Sequence, residues 1–147
     1  MRRLVLVAAA LAAACAGPTS MFHGGRLDSE TVTAPVEDWS FTDAVKTIQV
    51  ETNAQSPYSV NAWCVAQGSS LWVTAGGGEG ATWGKNLLDD GRMRIRILGK
   101  LYPRQAVRVT DSDEIALVRG LYKTKYDPAV DLTGREHAII FRLDPRP

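Results

Sequence analysis

The sequence predicts a mostly β domain, a six-stranded antiparallel barrel with two short accessory helices. Three observations predict it. Short runs rich in β-branched and aromatic residues alternate apolar with polar side chains. Most are joined by tight turns rather than by crossover-length segments. Helix signals are few beside the many short strands, and they read as accessory to an antiparallel barrel. At 147 residues the chain suits one domain with a substantial core.

Residues 1–14, MRRLVLVAAALAAA, read as an export signal. Arg2 and Arg3 form its positive start, and Leu4 to Leu11 form an apolar run too short to span a bilayer. Ala12, Ala13 and Ala14 lead directly into Cys15, a pattern that resembles a bacterial lipobox and makes Cys15 the expected lipid anchor. Leu11 stands one place further from the cysteine than is usual, so plain secretion with cleavage at an Ala-x-Ala site is the alternative. Residues 15–38 are polar and punctuated by Gly, Pro and Ser, which reads as a tether and an irregular lead-in across the domain surface. The barrel domain is expected over residues 39–147.

Trp39 and Phe41 open that domain, with a helical turn at Thr42-Asp43. Val45–Thr52 is the first expected strand, with Ile48 and Val50 on one face and Gln49 and Glu51 on the other. Asn53 to Ser56 turns the chain before Pro57. Ser59–Ala66 is the second strand, and Gln67-Gly68-Ser69 leads back into the third, Ser70–Ala75. The run GGGEG at 76–80 cannot continue a strand and hands over to a short helix over Thr82–Leu88, stopped by Asp89-Asp90-Gly91.

Met93–Leu98 carries the clearest alternation, with Met93, Ile95 and Ile97 opposite Arg92, Arg94 and Arg96. Gly99-Lys100 turns into a strand over Leu101–Val109, where Pro103 implies an edge or a bulge. Asp111 with Glu114 forms a capping-box pattern for a helix over Asp111–Tyr122, with Ile115, Val118, Leu121 and Tyr122 as its apolar stripe. Ala138–Leu143 is the last strand.

Charge excludes one class of partner. The chain holds 17 Lys and Arg against 16 Asp and Glu, and removal of Arg2 and Arg3 with the signal leaves 15 basic residues. A near-neutral domain offers no electrostatic footprint for nucleic acid. If Cys15 carries lipid, Cys64 is the one remaining thiol and no intrachain disulfide can form. Cys64 lies mid-strand between Trp63 and Val65 and reads as a buried small hydrophobe. His23 and His137 stand apart from other ligand types, so neither a metal site nor a Cys–His nucleophile follows. No paired carboxylates stand out, and no catalytic residue is named.

The order of elements, and above all Trp83-Gly84-Lys85-Asn86-Leu87 after the glycine run, resembles the flavin-binding split barrel. That is the fold of pyridoxamine 5′-phosphate oxidases and deazaflavin-dependent nitroreductases. The resemblance covers Phe41 to Leu143. It implies a homodimer with FMN or the deazaflavin cofactor F420 bound near the subunit interface, the phosphate held by basic side chains and backbone amides. On this chain it points to Gly77, Gly78, Trp83, Lys85, Asn86, Arg94 and Arg96. One position departs from the pattern: the connection between the first two strands, NAQSPYSVN, carries no basic residue.

The residues alone leave two readings open. The glycine run could present amides to an anion at a helix start, or it could be a flexible connector. Arginines on one strand face suit bidentate contacts to phosphate, or they form a solvated face. Trp63, Trp72 and Trp83 read as core or interface anchors. The expected protein is an envelope-anchored split barrel, either a flavin-type cofactor binder and oxidoreductase or a cofactor-free ligand-binding or interaction module.

Overall fold

The computed structural model describes residues 17–19, 21–129 and 131–146. The signal segment and Cys15 lie outside the described residues. One curled antiparallel sheet forms the body, with strands β1 (Glu30–Thr31), β2 (Ile48–Thr52), β3 (Tyr58–Ala62), β4 (Cys64–Gln67), β5 (Ser70–Ala75), β6 (Arg92–Ile97), β7 (Lys100–Arg108) and β8 (Ile139–Pro145). Their order across the sheet is β3-β2-β6-β7-β8-β5-β4, with β1 added in parallel beside β7. Helices α1 (Thr82–Asp89) and α2 (Ser112–Lys125) complete the fold, with 3-10 turns at Ser40–Ala44 and Gly78–Gly80.

The sheet therefore has eight strands rather than the six expected. One extra strand is β1, drawn from the lead-in. The other arises because the expected strand Ser59–Ala66 breaks at Trp63, and its halves lie at opposite edges of the sheet. Trp63 turns away to helix α2. Its ring stacks on Tyr126 at 4.4 Å, and its carbonyl accepts from Tyr122 Oη at 3.1 Å. The chain thus crosses the open seam of the barrel at that residue.

Alternation sorts the side chains into two cores. Ile48, Val50, Leu71, Val73, Ile95, Ile97, Phe141 and Leu143 fill the barrel, together with Trp39 and Tyr102, whose rings meet edge to face at 5.2 Å. On the outer face Val65, Trp72 and Ile140 meet Val118 and Tyr122 of α2. Asp111 caps α2 by accepting from the Glu114 amide at 2.8 Å. The second half of the expected capping box is absent: Glu114 instead accepts from Trp72 Nε1 at 2.8 Å and from Arg142 Nη1 at 2.9 Å, fastening the helix to the sheet.

Pro103 sits at a local edge, without a bulge. β7 has β6 along one side, while its other side is shared by β1 at Lys100–Leu101 and by β8 from Arg104 onward. The Leu101 carbonyl faces the β1 side, accepting from Val32 at 2.8 Å, so alternation aims the missing N–H of Pro103 the same way. It falls in the gap between the two neighbours, where no ladder bond is lost.

Both sheet edges are covered. Gly24 and Ser59 exchange two backbone bonds of 2.8 Å across the edge of β3. At β4, the Cys64 N–H donates to Tyr126 Oη at 3.1 Å, and Lys125 Nζ donates to the Cys64 carbonyl at 2.7 Å. Blocking unpaired edge groups in this way removes a template for aggregation.

Candidate functional site

Strand alternation places Arg92, Arg94 and Arg96 on the outer face of β6 while Met93, Ile95 and Ile97 enter the core. Register decides what two of them meet. Glu51 lies opposite Arg94, and Gln49 lies opposite Arg96. Arg94 makes a forked pair with Glu51, Nε to Oε1 at 2.8 Å and Nη2 to Oε2 at 2.7 Å. Arg94 Nη2 also donates to the Leu27 carbonyl at 2.8 Å, and the Leu27 amide donates back to Glu51. Arg96 donates to Gln49 Oε1 and, at 3.1 Å, to the Asp28 carbonyl. These two arginines buckle the lead-in onto the sheet. Leu27 beneath them is 1% exposed, so part of the lead-in belongs to the core.

Arg92 is held differently. Its guanidinium bonds Asp90, the shortest contact being 2.6 Å, and those bonds hold the Asp90 carboxyl down to about 2. Beside Arg92 and Arg94 lies a cleft of about 210 Å³ that Arg26 and Arg146 also line, with Glu51, Thr52 and Ala54. Arg26 and Arg146 form no ion pair among the described residues. The cleft thus gathers four guanidiniums, and its nearby carboxylates Glu51 and Asp90 are taken up by Arg94 and Arg92. Such a surplus of planar donors is suited to phosphate or carboxylate.

The glycine run is packed, not slack. Gly78 has φ +56°, and a Cβ there would lie 2.0 Å from the His137 carbonyl oxygen. A Cβ on Gly84 would lie 2.4 Å from the Gly78 oxygen, so α1 sits directly on the loop. The amides of Gly80 and Ala81 donate to the carbonyls of Gly77 and Gly78, at 3.0 and 3.2 Å. Two donors that could have faced an anion are therefore satisfied within the loop. Gly77 lines a separate cleft of about 420 Å³ with Arg108, Glu136 and His137.

The residues singled out from the sequence separate into three groups. Arg94 lines the arginine cleft, and Asn86 supports its wall, donating from Nδ2 to Thr52 Oγ1 at 2.9 Å. Gly77 belongs to the other cleft, with Gly78 beneath it. Trp83, Lys85 and Arg96 line neither. Trp83 is half-buried against the barrel core, and Lys85 pairs with Asp89 along the exposed face of α1 at 2.5 Å.

Most contributors to the cleft were missed by sequence reasoning. Arg26 and Arg146 stand in segments without periodicity and give no local signal. Glu51 and Thr52 do give one: a charged and a hydroxyl side chain ending a strand of β-formers, both nearly fully buried. A further unforeseen residue is Arg104, which points into the barrel at 6% exposure with its guanidinium 4.7 Å above Trp39. Burial lowers its pKa, and its Nε has no partner among the described residues.

Nucleophilic chemistry has little support. Cys64 is fully buried, and burial raises its thiol above the ordinary range despite Lys125 Nζ at 3.6 Å. Among the described residues no group of three His, Cys, Asp or Glu side chains is placed to hold a metal ion.

No protein-family model matches this chain, and no curated protein matches it. Solved structures do. The haem storage protein HutZ of Vibrio cholerae superposes with a TM-score of 0.61 at 20% identity, covering 74% of this chain and 87% of that one. A pyridoxamine 5′-phosphate oxidase-like protein of Listeria innocua gives 0.56 at 9% identity, over 74% and 90%. An FAD-binding protein of Mesorhizobium loti gives 0.52 at 13%, over 78% and 91%. At these identities the likeness is one of fold: the chain has the split-barrel fold of the pyridoxamine 5′-phosphate oxidase-like proteins.

Proposed function

We propose that this protein is an envelope-anchored split barrel that binds a flat, anionic cofactor of the flavin class, FMN or F420, with the anionic end in the arginine cleft. The observation that carries the reading is the pair Arg26 and Arg146, two guanidiniums that form no ion pair among the described residues, in a cleft that already holds Arg92 and Arg94. The donor set fits a phosphate, which accepts several charge-assisted bonds at once. The connection between β2 and β3 lacks a basic residue, but its Ala54 lines this same cleft, where Arg26 of the lead-in supplies the missing charge.

Size sets the rest of the reading. Pockets that enclose a whole cofactor run to roughly 300–1,000 Å³. At about 210 Å³ this cleft takes the phosphate end and leaves the ring system outside. A second copy in a homodimer would provide the other wall for the ring. When bound, a flavin would supply hydride transfer, making the loaded protein an oxidoreductase; the chain's own part is to bind and orient it. That similar folds include an FAD-binding protein and a haem storage protein supports a cofactor reading of this kind.

The test is an absorbance spectrum of the purified mature protein followed by separate titrations with FMN, F420 and haem. Flavin binding that weakens about tenfold or more in Arg26→Ala and again in Arg146→Ala is the expected result, since a hydrogen bond to a charged group is worth about 1.5–3 kcal/mol. Absence of binding by all three at high micromolar concentration removes the cofactor reading. The cofactor-free interaction module would then take its place, a reading favoured by the full engagement of Arg94 and Arg96 in holding the lead-in.

A further inference from the structure

The lead-in does more than connect. Pro18 is buried, and a Cβ on Gly17 would lie 2.8 Å from Arg96 Nη2 and 3.4 Å from Gln49 Nε2, so the chain is already seated on β2 and β6 at Gly17. Beyond it, Asn61 Nδ2 donates to the Thr19 carbonyl at 3.2 Å. The Thr19 amide donates to the Phe22 carbonyl at 3.0 Å, and the Phe22 amide donates to Thr19 Oγ1 at 3.1 Å. His23 then stacks on Tyr58 with ring centres 4.4 Å apart, and Gly24 bridges to Ser59. Met21 and Phe22, fixed on both sides, stand side by side in the solvent at 82% and 71% exposure; the one comparably exposed large apolar residue described, Leu98 at 73%, stands alone at the turn between β6 and β7.

We infer that this face, carrying Met21 and Phe22, rests on the lipid surface and fixes the orientation of the domain against the membrane. The inference rests on Cys15 as the lipid anchor and deepens that reading. Reach decides it. Two peptide steps separate Cys15 from Gly17, and a fully extended chain covers at most about 3.6 Å per residue, so the seated chain begins within about 7 Å of the acylated residue. A domain held that closely cannot tumble freely above the headgroups. The surface around Gly17 must meet them, and there the chain displays two adjacent apolar side chains. Apolar tips on an otherwise polar surface suit the boundary between headgroups and acyl chains. With the lipid supplying affinity, the Met21–Phe22 pair supplies orientation.

The experiment uses the full lipidated chain reconstituted in vesicles of phosphatidylethanolamine and phosphatidylglycerol. A fluorophore is placed at Met21→Cys or, for reference, at Leu117→Cys on α2, which packs on the β4, β5 and β8 side of the sheet. Intact mass reports acylation of Cys15. The expected result is quenching by a lipid-borne quencher several-fold stronger at position 21 than at position 117, with the reverse order for an aqueous quencher. Acylated protein in which both positions quench alike in water overturns the inference while leaving the anchor intact. A chain without acyl mass overturns the anchor and the inference together. Shielding of position 21 in detergent-solubilised protein, before any vesicle is present, shows a second copy covering the face and also overturns it.

Discussion

The loop Gly76–Gly80 and the strand β6 flank helix α1, and each brings polar groups to the surface of the same barrel. In the loop the polar groups are backbone amides. They cannot move far from the chain that carries them, and at Gly80 and Ala81 they close on carbonyls three residues back. Glycine is needed there for close approach, at Gly78 beneath His137 and at Gly84 against Gly78. On β6 the polar groups are guanidiniums with five donors each and several bonds of reach. Arg94 satisfies Glu51 and the lead-in and still lines an open cleft. Backbone donors in a tight loop are consumed by the fold, whereas arginine donors hold structure and keep capacity for a ligand.

Removing a structural partner from the arginine side should have the largest effect. Glu51 is 6% exposed, and its loss leaves the Leu27 amide without its acceptor and the Arg94 guanidinium with the Leu27 carbonyl alone. Breaking one side of a buried pair costs about 3–5 kcal/mol; with the Arg94 side chain 19% exposed, Glu51→Ala belongs near the lower figure. Urea unfolding checks this, and Glu51→Ala with Arg94→Ala together should cost less than the sum of the two single changes. Strict additivity would mean that the pair is not coupled and that the lead-in is held some other way.

On the loop side, Gly78→Ala combines a left-handed φ with a Cβ driven into the His137 carbonyl. A left-handed non-glycine residue costs roughly 1–2 kcal/mol and overpacking roughly 1–3, so about 3 kcal/mol is expected. The same denaturant measurement applies. An unchanged midpoint would restore the loop as a slack connector and remove the contrast with β6.

These two sites also show what was legible in the chain. Period-two alternation gave β6 to within one residue at each end, because one face enters the core and the other carries arginines; β5, buried on both faces, was legible to the residue from its β-formers and the hairpin loop before it. The break at Trp63 was not legible, since it depends on Tyr122 and Tyr126, about sixty positions away in sequence. The glycine run was visible as a place where the backbone does something unusual, but whether it opens to a ligand or closes on a helix depends on what packs above it. Arg94 could be read as one of a strip, yet its partner Glu51 follows from register, and register between distant strands is a tertiary fact. Arg26 and Arg146 reach the cleft from irregular segments, where no period marks which way a side chain points.

Lys85 gives the smallest effect and the sharpest division between the two regions. It belongs to the segment that most resembles the flavin-binding barrels, so on sequence grounds its removal should damage a phosphate site. In the fold its ammonium pairs with Asp89 one turn along α1, both side chains more than half exposed. That contact raises the lysine pKa but is screened by water and salt on either side. Lys85→Ala should leave the unfolding midpoint unchanged within error and the affinity for FMN or F420 unchanged, while Arg26→Ala weakens binding. Loss of flavin affinity in Lys85→Ala, with Arg26→Ala silent, would move the anion from the arginine cleft to the α1 side and reverse the roles assigned to the two regions.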